Sequence, residues 1–190
     1  MSSVTQDAGE HAAVDRARAG DRESVDALVA NFRPAVFRYC LARLADVQWA
    51  EDVTQDICVA IVTALPRYED RGKPFASFVF GIAANKVATA WRSAARRSRR
   101  EQSREVVPDV PSLADGPETQ AVRGSDIERA RALLALLPET QRQVLLLRVA
   151  AELSAEETAA ALGMTTGAVR VAQHRGLTRL RSLLNGGRDV

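Results

Sequence analysis

Three of the chain's seven prolines, Pro108, Pro111 and Pro117, fall within ten residues of each other, and this cluster constrains the fold more than any other feature. A proline has no backbone N–H to donate and disfavours helix in the residue before it. From Glu105 to Glu118 the chain also carries Asp109 and Asp115, no Lys or Arg, and no helical repeat of apolar residues. The stretch therefore reads as a flexible acidic linker. It divides the 190 residues into an N-terminal tail at 1–12, a first domain at 13–100, the linker at 101–124, a second domain at 125–186 and a short tail at 187–190.

Both domains read as helical. Asp21 is placed to cap a helix in which Val25, Leu28, Val29, Phe32, Val36, Phe37 and Cys40 recur at steps of three and four, the pattern of one buried stripe. Pro34 lies inside that pattern, where a bend or break is expected. A second helix, about 47–65, puts Val53, Ile57, Ala60, Ile61 and Ala64 on its buried side and ends at Pro66. The stretch from Pro66 to Pro74 reads as a loop, and a third helix over about 75–98 is apolar first and basic last.

The second domain has sharper punctuation. A helix at about 125–136 precedes Pro138, which suits the first turn of the next helix, about 139–150. Ser154, Glu156 and Glu157 form an S-x-x-E capping box opening a short helix over 155–162, and Gly163 supplies a left-handed stop. Thr166 is placed to cap a last helix running to about 184. Two helices joined by a tight Gly-containing turn, the second of them basic, make a helix-turn-helix. No segment keeps a period of two, so the expected fold is all-α, two small helical domains on a flexible linker.

Charge is distributed unevenly behind a net charge of only +2. From Thr158 to Arg188 there is no acid, and Arg92 to Arg100 is wholly basic, whereas Asp46, Glu51, Asp52 and Asp56 gather on the second helix. Two basic surfaces with an acidic one between them fit two contacts to a polyanion and one to a basic partner. Two cysteines and two histidines cannot build a Cys- or His-based zinc cluster, and Cys40 and Cys58 sit among apolar neighbours as structural thiols. Asp52 and Asp56, four apart on one helix, lack a third ligand or a lysine base for a metal-dependent nuclease. Neither an enzyme nor a metal or other cofactor is expected. No apolar run approaches the ~18 residues of a membrane helix, and Met1 to Arg22 lacks the features of a signal peptide, so a cytoplasmic protein is expected.

In a helix-turn-helix the second helix enters the major groove. With Val169, Leu177, Leu180 and Leu184 facing inward, Arg170, Gln173, His174 and Arg175 lie on or beside the outer face. Arginine pairs with guanine and glutamine with adenine, while Arg179 and Arg181, further along, suit phosphate. In the first domain, five of the nine aromatic residues (Tyr68, Phe75, Phe78, Phe80 and Trp91) precede the Arg92 to Arg100 run. Rings beside a basic surface can stack unpaired bases while the arginines hold the backbone, although some of these rings belong to the core. A duplex-binding regulator with an N-terminal dimerisation or sensing domain is the alternative on these features alone.

The motifs together resemble a known family. Ala50-Glu51-Asp52-Val53-Thr54-Gln55-Asp56 and Phe75-Ala76-Ser77-Phe78-Val79-Phe80-Gly81-Ile82-Ala83-Ala84-Asn85 resemble region two of the extracytoplasmic-function sigma factors, small members of the sigma-70 family. Leu137-Pro138, Leu153 to Ala159, and Gly163 to Arg170 with His174-Arg175 resemble their region four. The tract from Ala168 to Arg175 resembles the sigma-D-like branch, and the Ala- and Arg-rich composition fits an actinobacterial source. The resemblance implies a specificity subunit of RNA polymerase, monomeric when free. Asp52, Gln55 and Asp56 would dock on the clamp coiled coil of core polymerase. Tyr68, Phe78 and Asn85 would surround a flipped base of the minus-ten element, with Arg92, Arg96 and Arg97 on its backbone. Arg170, Gln173, His174, Arg175 and Arg179 would read the minus-thirty-five element while region four packs on the polymerase flap. Signal sensing would fall to a separate anti-sigma factor. Three positions depart from the family pattern: Cys58 and Phe78 replace a frequent aromatic and a frequent Trp, and Val171-Ala172 replaces a polar-Arg pair.

Overall fold

The computed structural model describes residues 3–102 and 129–186, and all regular structure among them is helical. The first half comprises α1 (Ser3–Arg18), α2 (Arg22–Leu44), α3 (Val47–Ala64), a 3-10 turn (Leu65–Arg67) and α4 (Phe75–Gln102). The second comprises α5 (helical over 129–135), α6 (Glu139–Val149), α7 (Ala155–Leu162) and α8 (Thr166–Gly186). The linker expected at 101–124, apart from its first two residues, the start of the helix expected at 125, and the tail at 187–190 lie outside the described residues.

Short-range chemistry places most helix ends. Asp21 caps α2 by accepting from the Ser24 N–H at 3.1 Å, and Asp46 caps α3 by accepting from the Trp49 N–H at 2.6 Å. Between α2 and α3 the turn takes only Ala45 and Asp46, with Ala45 in the left-handed region at φ 65. The capping box of α7 forms as its spacing predicts: the Ser154 hydroxyl accepts from the Glu157 N–H at 3.0 Å, and the Glu157 carboxylate from the Ser154 N–H at 2.6 Å.

Three expectations need correction. Residues 3–12, read as a tail, are part of α1, whose buried Val14 and Ala17 dock it and let the helix extend toward the N-terminus. Pro34 does not break α2, because it sits exposed and the flanking turns on both sides bury Leu28, Val36, Tyr39 and Cys40. The cap of α8 is Thr165, one residue earlier than expected, its hydroxyl accepting from the Ala168 N–H at 3.2 Å.

Packing brings α2, α3 and α4 around Val36, Tyr39, Cys40, Ile57, Val79, Phe80, Ala83 and Val87, each at most 1% exposed. The second half has its own small cluster of Val144, Ala155, Ala159, Val169 and Ala172. Here α8 lies so close to α6 that a Cβ on Gly176 would come within 2.8 Å of Leu145 Cδ1. The two halves are not separate bodies on a tether. Leu146, Leu147, Ala151 and Leu153 join the core of the first half, and the Ser77 hydroxyl on α4 donates to the Glu157 carbonyl of α7 at 3.2 Å.

Candidate polymerase and nucleic-acid surfaces

On α3 the spacing of Asp52, Gln55 and Asp56 puts all three on one face, and all are exposed. That face continues into Val59 and Val62, which are 60% and 41% exposed. Carboxylates followed by bare valines along one helix form a surface suited to a protein partner rather than to nucleic acid. The sequence reading did not single out the two valines, but both fall outside the buried stripe of α3, and that was the signal available. Beside this face a groove between α3 and α4 is lined by Trp49, Asp52, Asp56, Lys86 and Arg97. Trp49 also meets the exposed Trp91 of α4 edge to face at 5.2 Å.

The loop after α3 delivers Tyr68 to the start of α4. Its ring lies 5.2 Å from Phe75, edge to face, and 4.8 Å from Phe78. Phe75 is buried and also meets Phe32, whereas Tyr68 and Phe78 are half-buried with part of each ring accessible. Phe80 belongs to the core, against Tyr39. Phe78, Asn85 and Arg92 are spaced by sevens, with Arg96 one turn further, so they follow one stripe of α4. Eighteen steps of 1.5 Å from Phe78 to Arg96 make that stripe about 27 Å long. Asn85, Arg92, Arg96 and Arg97 are exposed. Arg92 rests on its own helix, donating to the Ala88 carbonyl at 3.3 Å and the Thr89 hydroxyl at 3.1 Å, and Arg96 donates to the Ser93 hydroxyl at 3.2 Å. Within the loop Arg71 pairs with Glu69 at 2.8 Å, and His11 of α1 reaches the loop, its Nε2 lying 3.3 Å from the Asp70 carboxylate.

On α8, Arg170, His174, Arg175 and Arg179 are exposed together on the outer face. Gln173 turns partly inward, its amide oxygen accepting from Arg148 Nε at 3.1 Å, which ties one lone pair of that oxygen to α6 and leaves the amide nitrogen unengaged by this bond. Arg170 is held by Glu156 of α7 at 3.3 Å. Val171 is 50% exposed while Ala172 is buried in the core, so the helix presents a methyl-bearing surface between its arginines. Leu177, Leu180 and Leu184, expected to pack inward, instead line an open apolar groove with Leu133, Leu145 and Val149, and Leu184 is 44% exposed. Among the described residues, Arg129, Ala130, Leu133 and Leu134 of α5 form the facing wall.

Burial pushes the Cys40 thiol up to about 11, and the half-buried Cys58 thiol is also raised by burial. Among the described residues no three metal-ligating side chains cluster, and no helix is long and apolar enough to cross a membrane.

Residues 28–97 match the family model of Sigma-70 region 2, and residues 127–180 that of Sigma-70 region 4. Over 174 residues, 90% of this chain and 81% of the other, the sequence is 51% identical to the ECF RNA polymerase sigma factor SigD of Mycobacterium tuberculosis. The chain belongs to the ECF RNA polymerase sigma factors. This sigma factor is also 49% identical to the ECF RNA polymerase sigma factor ShbA of Streptomyces griseus, over 90% of its own length and 93% of the relative's. Among solved structures the sigma factor resembles CnrH in complex with the cytosolic domain of CnrY, with a TM-score of 0.71 at 24% identity over 93% of this chain and 97% of that one. It also resembles RpoE of Bartonella quintana in complex with the anti-sigma factor NepR, with a TM-score of 0.65 at 22% identity over 84% of this chain and 96% of that one. Family membership makes the sigma factor a promoter-directing subunit of RNA polymerase, a regulatory rather than a catalytic protein. An ordinary helix-turn-helix regulator would not carry region 2.

Proposed function

We propose that this sigma factor divides its work among three surfaces. Asp52, Gln55 and Asp56, extended by Val59 and Val62, dock α3 on the clamp coiled coil of core polymerase. Tyr68, Phe78 and Asn85 receive a base flipped from the minus-ten element, and Arg92, Arg96 and Arg97 hold the backbone of the unpaired strand. Arg170, His174, Arg175 and Arg179 read the minus-thirty-five duplex, with Gln173 beside them, oriented by its bond to Arg148. Extruding a base costs a few kcal/mol, which stacking at about 1–3 kcal/mol per ring offsets.

The observation that carries this reading is the stripe along α4, where an accessible ring, a carboxamide and two guanidinium groups follow in register on one helix face. The solved relatives CnrH and RpoE are captured with CnrY and with an anti-sigma factor. For this chain an anti-sigma partner fits the open apolar groove of the second half, the polymerase flap being the competing occupant. We place the chain in the cytoplasm with polymerase, and as a monomer when free. Transcription of a genomic fragment library by core polymerase, with and without the chain, tests the whole reading. New start sites sharing two spaced motifs are expected, and Asn85→Ala should alter the minus-ten base profile alone; an unaltered profile removes Asn85 from the pocket.

A further inference from the structure

One side chain on the outer face of α8 is of the wrong kind for a surface that meets only phosphate. Val171 is 50% exposed, whereas Val169, Ala172 and Gly176, the inward stripe of the same helix, are buried. Gly167, Val171, His174 and Thr178 recur at steps of four, three and four, all exposed, and so form one line down the side away from that stripe. Arg170 and Arg175 flank the line on either side. Gly167 carries no side chain, and the space where its Cβ would stand is open. Val171, in the second turn of α8, is therefore the first side chain to project along the line. Arg170 is held toward α7 by Glu156 at 3.3 Å, and the valine stays uncovered.

A recognition helix sets the start of its exposed face against base edges in the major groove, with neighbouring positions near the backbone. Those edges are polar almost throughout: N7, O6 and O4 accept, and the amino groups of adenine and cytosine donate. The C5-methyl of thymine is the apolar exception. Valine neither donates nor accepts, so against a polar edge it strips away water and returns no hydrogen bond. Against the methyl it buries carbon on carbon. We propose that Val171 is a specificity-determining residue of the minus-thirty-five surface, its methyl groups seated on the C5-methyl of a thymine between the contacts of Arg170 and Arg175. The base assignment rests on the promoter reading above and adds to it a chemical identity at one position. The flanks favour DNA over a protein segment at this valine, because α8 carries no acid and Arg170, Arg175 and Arg179 surround the line with positive charge that two phosphate backbones match.

The test uses holoenzyme assembled from core polymerase and the full chain, bound to a promoter fragment whose minus-thirty-five element has been mapped by transcription. Each thymine of that element, on either strand, is replaced in turn by deoxyuridine, which removes the C5-methyl and keeps every hydrogen-bonding group. At one thymine the replacement is expected to weaken binding about fourfold, the contribution of one buried methyl. Holoenzyme carrying Val171→Ala should lose that difference, and only the wild-type chain should favour 5-methylcytosine over cytosine at the same position. Val171 is exposed and alanine favours helix, so the variant keeps its fold, which helical ellipticity checks. Val171 is not the reader if the element holds no thymine, if no thymine shows dependence on its methyl, or if Val171→Ala leaves that dependence as it was. Scrambling the whole element separates the two levels. Binding lost on scrambling, without methyl dependence at any thymine, overturns the role of Val171 alone; binding that survives scrambling overturns the minus-thirty-five reading with it.

Discussion

The two halves of the molecule are built on different scales. In the first, three long helices close over large side chains such as Tyr39, Ile57 and Phe80, all buried. In the second, the cluster under the helix-turn-helix is mostly alanine and valine, with Gly176 letting α8 approach α6. The large core gives the first half a well-packed platform under the Tyr68, Phe75 and Phe78 rings, the proposed base pocket. The small core lets α8 lie close to its neighbours and present arginines, but it cannot bury Leu146 and Leu147 alone, and these complete their burial against the first half. What a DNA reader gains in slenderness it gives up in independent stability.

The strongest way to break this comparison is Phe80→Ala. Removing a ring that is 1% exposed should cost about 3–5 kcal/mol in urea unfolding followed by circular dichroism. A cost under about 1 kcal/mol would mean the platform is not where the large side chains put it. A second test uses pH. The Cys40 thiol titrates at 9.0 unfolded and about 11 folded, raised by burial, so its contribution is fully present below pH 9 and is lost as pH rises to 11. The two-unit difference is roughly 2–3 kcal/mol, and Cys40→Ala should flatten that part of the stability profile. An unchanged slope would move the cysteine out of the core.

In the second half, Gly176→Ala should cost about 1–3 kcal/mol by forcing Leu145 aside, a price paid locally at the α6 and α8 contact. Calorimetry showing no loss would mean that contact has slack. The smallest expected effect is Ser154→Ala, which removes the capping hydroxyl of α7 at about 1 kcal/mol. If that change instead matched Phe80→Ala, the helix-turn-helix would depend on its caps more than on the first half.

The outer arginines of α8 were legible in advance because exposed helical positions follow from spacing, whereas Asp52, Gln55 and Asp56 were singled out by the family resemblance and their spacing agrees with one exposed face. Gln173 was legible only as a polar residue near the outer face; its bond to Arg148 joins positions 25 apart and needs α6 packed on α8. The leucines at 177, 180 and 184 have the spacing of a buried stripe, but spacing carries no information on whether another helix arrives to cover it. Pro34 misled in the same way, since a proline's local cost says nothing of how much burial its neighbours supply.

Helix ends, the all-α class, the helix-turn-helix and the placing of charge were thus set by the sequence, since a cap, a left-handed glycine or a helical stripe acts within a few residues. The cover over the α8 leucines, the partial withdrawal of Gln173 and the seam where Arg43 of α2 meets Glu139 of α6 at 2.8 Å were decided by tertiary structure. Each depends on side chains from separate helices meeting in space, and that proximity exists only once the helices have packed.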